Sequence, residues 1–243
     1  MQSMFLTRRP LVLASNSPRR KDFLQMLGLD FSVCAAARPE PEREEGEEPG
    51  FFCVRVARQK AWEVFEKLSL EAGEARQNEQ ARQAGQAQIS QPVILAADTI
   101  VVLDDAILHK PPTKEAALQM LTALGGRKHA VYTGCCLLLP KFEAQASFCA
   151  PKGTECVMEE TFFACSYVRM GRYPQEVLRA YAQSGEPMDK AGAYAIQGQG
   201  AFLIDTVQGS WTNIVGLPLE LLVPLLLKYQ VIESAALKQS GSA

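Results

Sequence analysis

A chain of 243 residues with 47% hydrophobic content is long enough for one large α/β domain or two modest lobes around a packed core. Its formal net charge of -2 and pI near 5.8 exclude a global attraction to nucleic acid or an anionic membrane, so basic chemistry must be local and the expected partner is a small anion. No stretch reaches transmembrane length, the apolar run behind the N-terminal arginines is too short for a signal-peptide core, and the cysteines form no C-x-x-C pair, which together predict reduced thiols in a cytoplasmic protein.

Leu11 to Ala14 reads as a strand that breaks into Ser15, Asn16 and Ser17 and then into Arg19, Arg20 and Lys21. Ser17 suits an N-cap and Pro18 the first helical position. A helix from Pro18 to about Leu27 therefore starts at a turn whose free N–H groups and positive dipole end favour an anion. Phe23, Leu24 and Leu27 make its apolar stripe, and Gly28 ends it. A second strand fits Phe31 to Ala35, and the Pro- and Glu-rich run from Arg38 to Glu48 is an exposed acidic loop.

Val54, Ala57, Ala61, Val64 and Leu68 recur at helical spacing over Phe51 to Leu70, leaving Arg55, Arg58 and Lys60 off the main buried stripe. Glu71 to Gln91 carries hardly a large apolar residue and reads as an insertion that either lengthens the helix or hangs as a loop. Pro92 to Ala97 is a central strand that stops at Asp98-Thr99 and resumes over Ile100 to Leu103. Asp104-Asp105-Ala106 is a turn, and Ile107 to Lys110 begins a return strand. Thr113 caps a helix with Leu118, Leu121 and Leu124 facing inward, closed by Gly125-Gly126.

His129 to Leu139 and Thr161 to Met170 read as strands joined by a long hairpin connection, Pro140 to Glu160. Tyr173 to Ser184 is a helix. The four glycines from Gly185 to Gly200 imply turns or close approach of a ligand, against the plainer reading of an ordinary surface loop. Ala201 to Val207 reads as a strand, Gly209 to Gly216 as a turn or bulge, Pro218 to Tyr229 as an apolar helix bent near Pro224, and the tail from Ser234 as frayed.

The residues alone offer a phosphate-binding turn at Ser15 to Arg20, a carboxylate ending a central strand (Asp98), and Lys60, Lys110 and Lys190. Phosphoanhydride cleavage needs neutralised phosphate oxygens, a metal held by carboxylates and a group that takes a proton from water. Asp98 stands out, because a carboxylate in an apolar strand is costly unless paired or coordinated. Arg19 and Arg20 read equally well as helix-surface salt bridges, and Lys60 and Lys110 as solvated charges. Spacing does not select Glu40 from its acidic neighbours. No Walker motif occurs, and Gly198-Gln-Gly200 lacks the rest of a dinucleotide fingerprint. His109 and His129 lack metal-ligand spacing, and Cys135 and Cys136 point to opposite faces of one strand.

Leu13-Ala-Ser-Asn-Ser-Pro-Arg-Arg20, Ala97-Asp-Thr-Ile-Val101, Lys110-Pro111, Thr133-Gly134, the Gly185 to Gly198 stretch and Gly209 to Pro218 resemble the successive motifs of the Maf family of nucleoside triphosphate pyrophosphatases. The resemblance implies an inosine triphosphatase-like α/β fold, with an elongated mixed β-sheet flanked by helices and two lobes around a central cleft. It implies a single domain over 1–233 with insertions near 71–91 and 140–160, a disordered tail over 234–243, and usually a homodimer. The implied reaction is attack of water on the α-phosphorus of a nucleoside triphosphate, with a divalent cation, typically Mg²⁺ or Mn²⁺. By matching position, Asp98 is the proton acceptor and a metal-linked carboxylate, and Glu40 its acidic partner at the metal. Ser15, Arg20, Lys60 and Lys110 contact phosphate, and Arg19, Thr99 and Gln197 set the base choice of the dTTP/UTP branch. His109 departs from the family, where Glu commonly precedes Lys-Pro. The implied partner is the nucleotide substrate, with no nucleic acid and no membrane; the alternative is a catalytically weak nucleotide-binding regulator of cell division or septum formation.

Overall fold

The computed structural model describes residues 3–77, 91–140 and 157–235. Its strands among these residues are β1 (Phe5–Thr7), β2 (Leu11–Leu13), β3 (Ser32–Val33), β4 (Val93–Leu103), β5 (Ala106–Leu108), β6 (Lys128–Pro140), β7 (Val157–Met170), β8 (Ile204–Gln208) and β9 (Ile232–Ser234). The α-helices are α1 (Pro18–Met26), α2 (Pro49–Gln77), α3 (Lys114–Leu124), α4 (Gln175–Gln183), α5 (Trp211–Val215) and α6 (Leu219–Lys228). A mixed seven-stranded sheet runs β3-β2-β4-β6-β7-β8, with β5 paired to β4, and helices cover it.

β4 organises the sheet. Every residue of it except Thr99 is buried, as its apolar run demands. It does not stop at Asp98-Thr99 as expected, because both residues keep their ladder partners on β6, Gly134 and Thr133. On the other side, β2 pairs in parallel only with Val93 to Leu95, and β5 pairs antiparallel only with Val101 to Leu103. Ala96 to Ile100 therefore have a neighbouring strand on one side alone, and the sheet splits beside them. β5 returns through a tight turn with Asp104 and Asp105 at φ 48° and 65°, the left-handed pair a two-residue hairpin needs.

The two faces of the sheet have separate cores. Leu11, Leu13, Leu95 and Leu137 pack with Phe23 and Leu24 of α1 and Leu222 and Leu226 of α6. Val12, Ile94, Ala96 and Leu138 pack with Ala57, Ala61 and Val64 of α2. Further along, Val101 and Val131 join Leu121 and Leu124 of α3 and Leu178 of α4. Cys135 belongs to the first core and Cys136 to the second, so the vicinal thiols do face apart; burial pushes Cys135 up to about 12. Gly134 matters for position: a Cβ there would lie 2.4 Å from the Cys53 backbone, so only glycine lets α2 lie this close to β6.

Several boundaries differ from the expectation. Ser234 is not frayed but pairs with Phe5 in a small β1–β9 ladder. The first part of the expected insertion lengthens α2 to Gln77, and 78–90, like 141–156 of the long hairpin connection, lie outside the described residues. β7 starts at Val157, since Val157 to Glu160 pair with Pro140 to Leu137. The strand expected over Ala201 to Val207 begins only at Ile204. Before it, Gly198–Leu203 forms a 3-10 turn, drawn in by the Glu186 carboxylate, which accepts the N–H groups of Gln199 (3.0 Å) and Gly200 (2.8 Å). The expected turn over Gly209 to Gly216 contains α5, because Ser210 Oγ caps it by accepting from Asn213 N–H at 3.2 Å. Ser17 sits at the N-cap of α1 but makes no side-chain cap bond.

Candidate active site

Consecutive residues of a strand point to opposite faces, and β4 uses this at the split. Asp98 turns toward α2 and meets Lys60, whose Nζ donates to Asp98 Oδ1 at 2.8 Å and to Glu40 Oε1 at 2.5 Å. Thr99 turns the other way, toward Arg20 of α1 and Thr133 of β6. All nine site residues expected from the sequence, Ser15, Arg19, Arg20, Glu40, Lys60, Asp98, Thr99, Lys110 and Gln197, line one cavity of about 1100 Å³ over the split.

One ammonium thus serves two carboxylates. The Lys60 side chain is 18% exposed and that of Asp98 10%, so this pair is only thinly screened by water. Glu40 reaches the lysine from the acidic loop. Burial works to raise its carboxyl, but the bond from Lys60 and the charges of Lys60, Lys110 and Arg20 outweigh it and hold the group below its ordinary value.

Arg20 is buried and has most of its donors committed. Nε donates to the Gly216 carbonyl at 2.8 Å, Nη1 to Ser15 Oγ at 3.0 Å and Nη2 to Thr99 Oγ1 at 3.0 Å. Burial lowers its pKa, and Asp98 works in the opposite direction. Ser15 Oγ also accepts from Ser17 N–H at 3.2 Å. Both acceptor positions of that hydroxyl are then filled, and its O–H is left to donate, which suits an anionic oxygen.

Across the cleft, Asp189 holds two cations at once, Lys190 Nζ at 2.5 Å and Arg19 Nη1 at 3.4 Å. Lys110 and Gln197 are exposed on the cavity wall and make no side-chain hydrogen bond among the described residues. His109 is also exposed there, whereas His129 is buried on β6 and shares a 2.7 Å hydrogen bond with Tyr194 OH, a structural role. Sequence reasoning passed over Arg43 and Tyr194, which line the same cavity. Arg43 stands beside the β4–β5 turn because it donates to the Asp105 carbonyl at 3.0 Å, a long-range contact without a local signature.

Among the described residues no three His, Cys, Asp or Glu side chains gather into a metal cage. Asp98 and Glu40 converging on one lysine do fit an ion of the Mg²⁺ type, which uses one or two carboxylates and fills its shell with water and substrate phosphate.

A mixed sheet split beside a carboxylate, faced by a hydroxyl-and-arginine turn and rimmed with lysines, defines an α/β protein whose cleft is suited to a phosphorylated polyanion. The sequence pattern of the family described as Maf-like protein matches residues 10–229, and the chain belongs to that family. A protein of Nitratidesulfovibrio vulgaris named dTTP/UTP pyrophosphatase is 41% identical over 224 residues, 92% of this chain and 90% of the relative. Proteins of the same name are 40% identical over 242 residues in Oleidesulfovibrio alaskensis, covering 98% of this chain and 95% of the relative, and 36% identical over 244 residues in Lawsonia intracellularis, covering 99% and 92%.

Proposed function

We propose that this chain is a nucleoside triphosphate pyrophosphatase that hydrolyses dTTP and UTP to the monophosphate and pyrophosphate. The observation that carries the reading is Lys60 held between Asp98 and Glu40 in the cavity that also contains the Ser15 turn. Relatives of that name across nearly the whole chain support the substrate class.

In this reading the triphosphate lies along Ser15, Lys60 and Lys110, where one hydroxyl donor and two ammonium groups offset its charge. Lys60 occupies Asp98 Oδ1, which leaves Oδ2 to accept the proton of the water that attacks the α-phosphorus. Asp98 and Glu40 would hold a divalent cation of the Mg²⁺ or Mn²⁺ kind, which when bound supplies further charge neutralisation at the phosphate oxygens. Arg20, in the cavity wall, fixes the Ser15 and Thr99 hydroxyls and has N–H donors left over for a phosphate oxygen. Arg19, Thr99 and Gln197 read the base. A wrong base leaves their polar groups unpaired, at about 1–3 kcal/mol for each buried one.

The reading includes a single domain over 1–233, whose cores on either side of the split centre its two lobes, and a cytoplasmic homodimer, for which exposed Trp211 and Leu221 offer apolar surface. The test is product analysis with dTTP and UTP in Mg²⁺. The wild-type chain is expected to release monophosphate and pyrophosphate, and Asp98→Asn to bind nucleotide with turnover reduced about 10³-fold. Orthophosphate as first product, or tight binding without hydrolysis across several metals, would overturn the assignment.

A further inference from the structure

Thr133 stands opposite Thr99 in the β4–β6 ladder, is fully buried and takes no part in the cavity wall. Its Oγ1 lies 2.9 Å from Thr99 Oγ1 and 2.9 Å from the carbonyl oxygen of Asn213. A carbonyl oxygen only accepts, so the single hydroxyl hydrogen of Thr133 is spent on Asn213. The hydrogen between the two threonines must then come from Thr99.

The remaining valences of Thr99 can be counted in the same way. A guanidinium only donates, so Arg20 Nη2 at 3.0 Å fills one lone pair of Thr99 Oγ1. With its hydrogen turned inward and one lone pair filled, Thr99 has a single acceptor position left, and it is the one residue of β4 that is not fully buried.

The far end of this chain is fixed as well. Asn213 Nδ2 donates to the Val131 carbonyl at 3.0 Å and to Ser166 Oγ at 2.9 Å, and its backbone N–H is held by the Ser210 cap. Gly216 and Leu217 both send their N–H groups to the Thr212 carbonyl, so the end of α5 leaves the Asn213 carbonyl to Thr133. Gly216 takes up φ 121° there, a conformation that favours glycine, and its own carbonyl accepts Arg20 Nε. Turning the Thr99 hydrogen outward would set two oxygen lone pairs against each other across 2.9 Å, and turning the Thr133 hydrogen to Thr99 instead would leave the buried Asn213 carbonyl unpaired.

We propose that Thr133 is a positioning residue for specificity: by fixing the proton order Thr99 to Thr133 to Asn213, it makes Thr99 an obligatory hydrogen-bond acceptor toward the nucleobase. Such an acceptor selects a pyrimidine that presents a ring N–H at N3, as uracil and thymine do. It rejects cytosine, whose N3 presents a lone pair. The inference rests on the proposed function, in which Thr99 faces the base.

The experiment compares kcat/KM for UTP, CTP and N3-methyl-UTP in the wild type, Thr133→Val and Thr133→Ser, with the Tm of each variant measured alongside. The wild type is expected to favour UTP over CTP by about 100-fold and to lose about 10-fold or more on N3-methyl-UTP. Thr133→Val keeps the shape but frees the Thr99 hydroxyl to rotate, and the UTP/CTP ratio is expected to fall about 10-fold, mainly through KM. Thr133→Ser retains the hydroxyl, so its ratio stays within about 3-fold of wild type. A folded Thr133→Val with an undiminished ratio, a ratio lost equally in Thr133→Ser, or full wild-type activity on N3-methyl-UTP would overturn the inference. Failure of the wild type to hydrolyse UTP at all would instead overturn the functional reading beneath it.

Discussion

Residues 38–48 wall one side of the cleft with carboxylates that a helix holds from outside, whereas residues 185–200 wall the other side with a chain that largely holds itself. In the acidic loop, Arg55 binds Glu47 through two 2.7 Å hydrogen bonds, Gln59 donates to the Pro39 carbonyl at 2.9 Å, and Glu63 accepts the N–H of Ala37 at 2.7 Å. Arg55, Gln59 and Glu63 follow one another at four-residue steps, so one stripe of α2 tethers the whole loop. Lys60 adjoins that stripe and brings Glu40 to Asp98. The glycine-rich wall is built from 3-10 turns at Glu186–Asp189, Ala191–Ala193 and Gly198–Leu203, tied by Glu186 to its own later N–H groups and by Lys190 Nζ to the Glu186 carbonyl at 2.6 Å. The acidic wall therefore depends on charge pairing at the reaction centre, and the glycine-rich wall on backbone bonds beside the base. Substitutions in the first should act on kcat and substitutions in the second on KM.

Lys60→Met tests the first wall and carries the larger expected effect. It leaves Asp98 and Glu40 without their shared cation, and kcat is expected to fall about 100-fold. The pH dependence has a definite sign. Glu40 in the folded chain lies below its ordinary value, so its small contribution to stability is present above the unfolded pKa and is lost as pH falls through the folded pKa. Without Lys60, burial is the largest remaining influence and raises the carboxyl. The acid limb of the rate profile should move to higher pH in Lys60→Met, and an unmoved limb would show that Lys60 does not hold the Glu40 carboxyl down.

Glu186→Gln tests the second wall. One of the two N–H groups that the carboxylate accepts would then face an amide NH₂, at a cost of about 1–2 kcal/mol. KM for UTP should rise a few-fold with kcat nearly unchanged. An equal drop in kcat would erase the distinction between the walls.

Asp98 was readable because a carboxylate inside an apolar run has few innocent explanations, and the Ser15 turn because its hydroxyls precede a proline-started helix. Glu40 was not readable from spacing, since only the tether from α2 distinguishes it from Glu42. Thr133 was marked only as half of the Thr133-Gly134 motif and carried no role, since a threonine in a strand is ordinary until its partners are known. The β1–β9 ladder joins two three-residue strands from distant parts of the chain, too short for a periodicity to show. The strand break expected at Asp98-Thr99 failed for a related reason: polarity marked the opening of the cleft, and the backbone pairing with β6 runs straight through it.

The most direct test of the account is hydrolysis of UTP in H₂¹⁸O followed by mass spectrometry of both products. Attack of an Asp98-activated water on the α-phosphorus predicts ¹⁸O in the nucleoside monophosphate and unlabelled pyrophosphate; label in the pyrophosphate would place the attack at the β-phosphorus and contradict it.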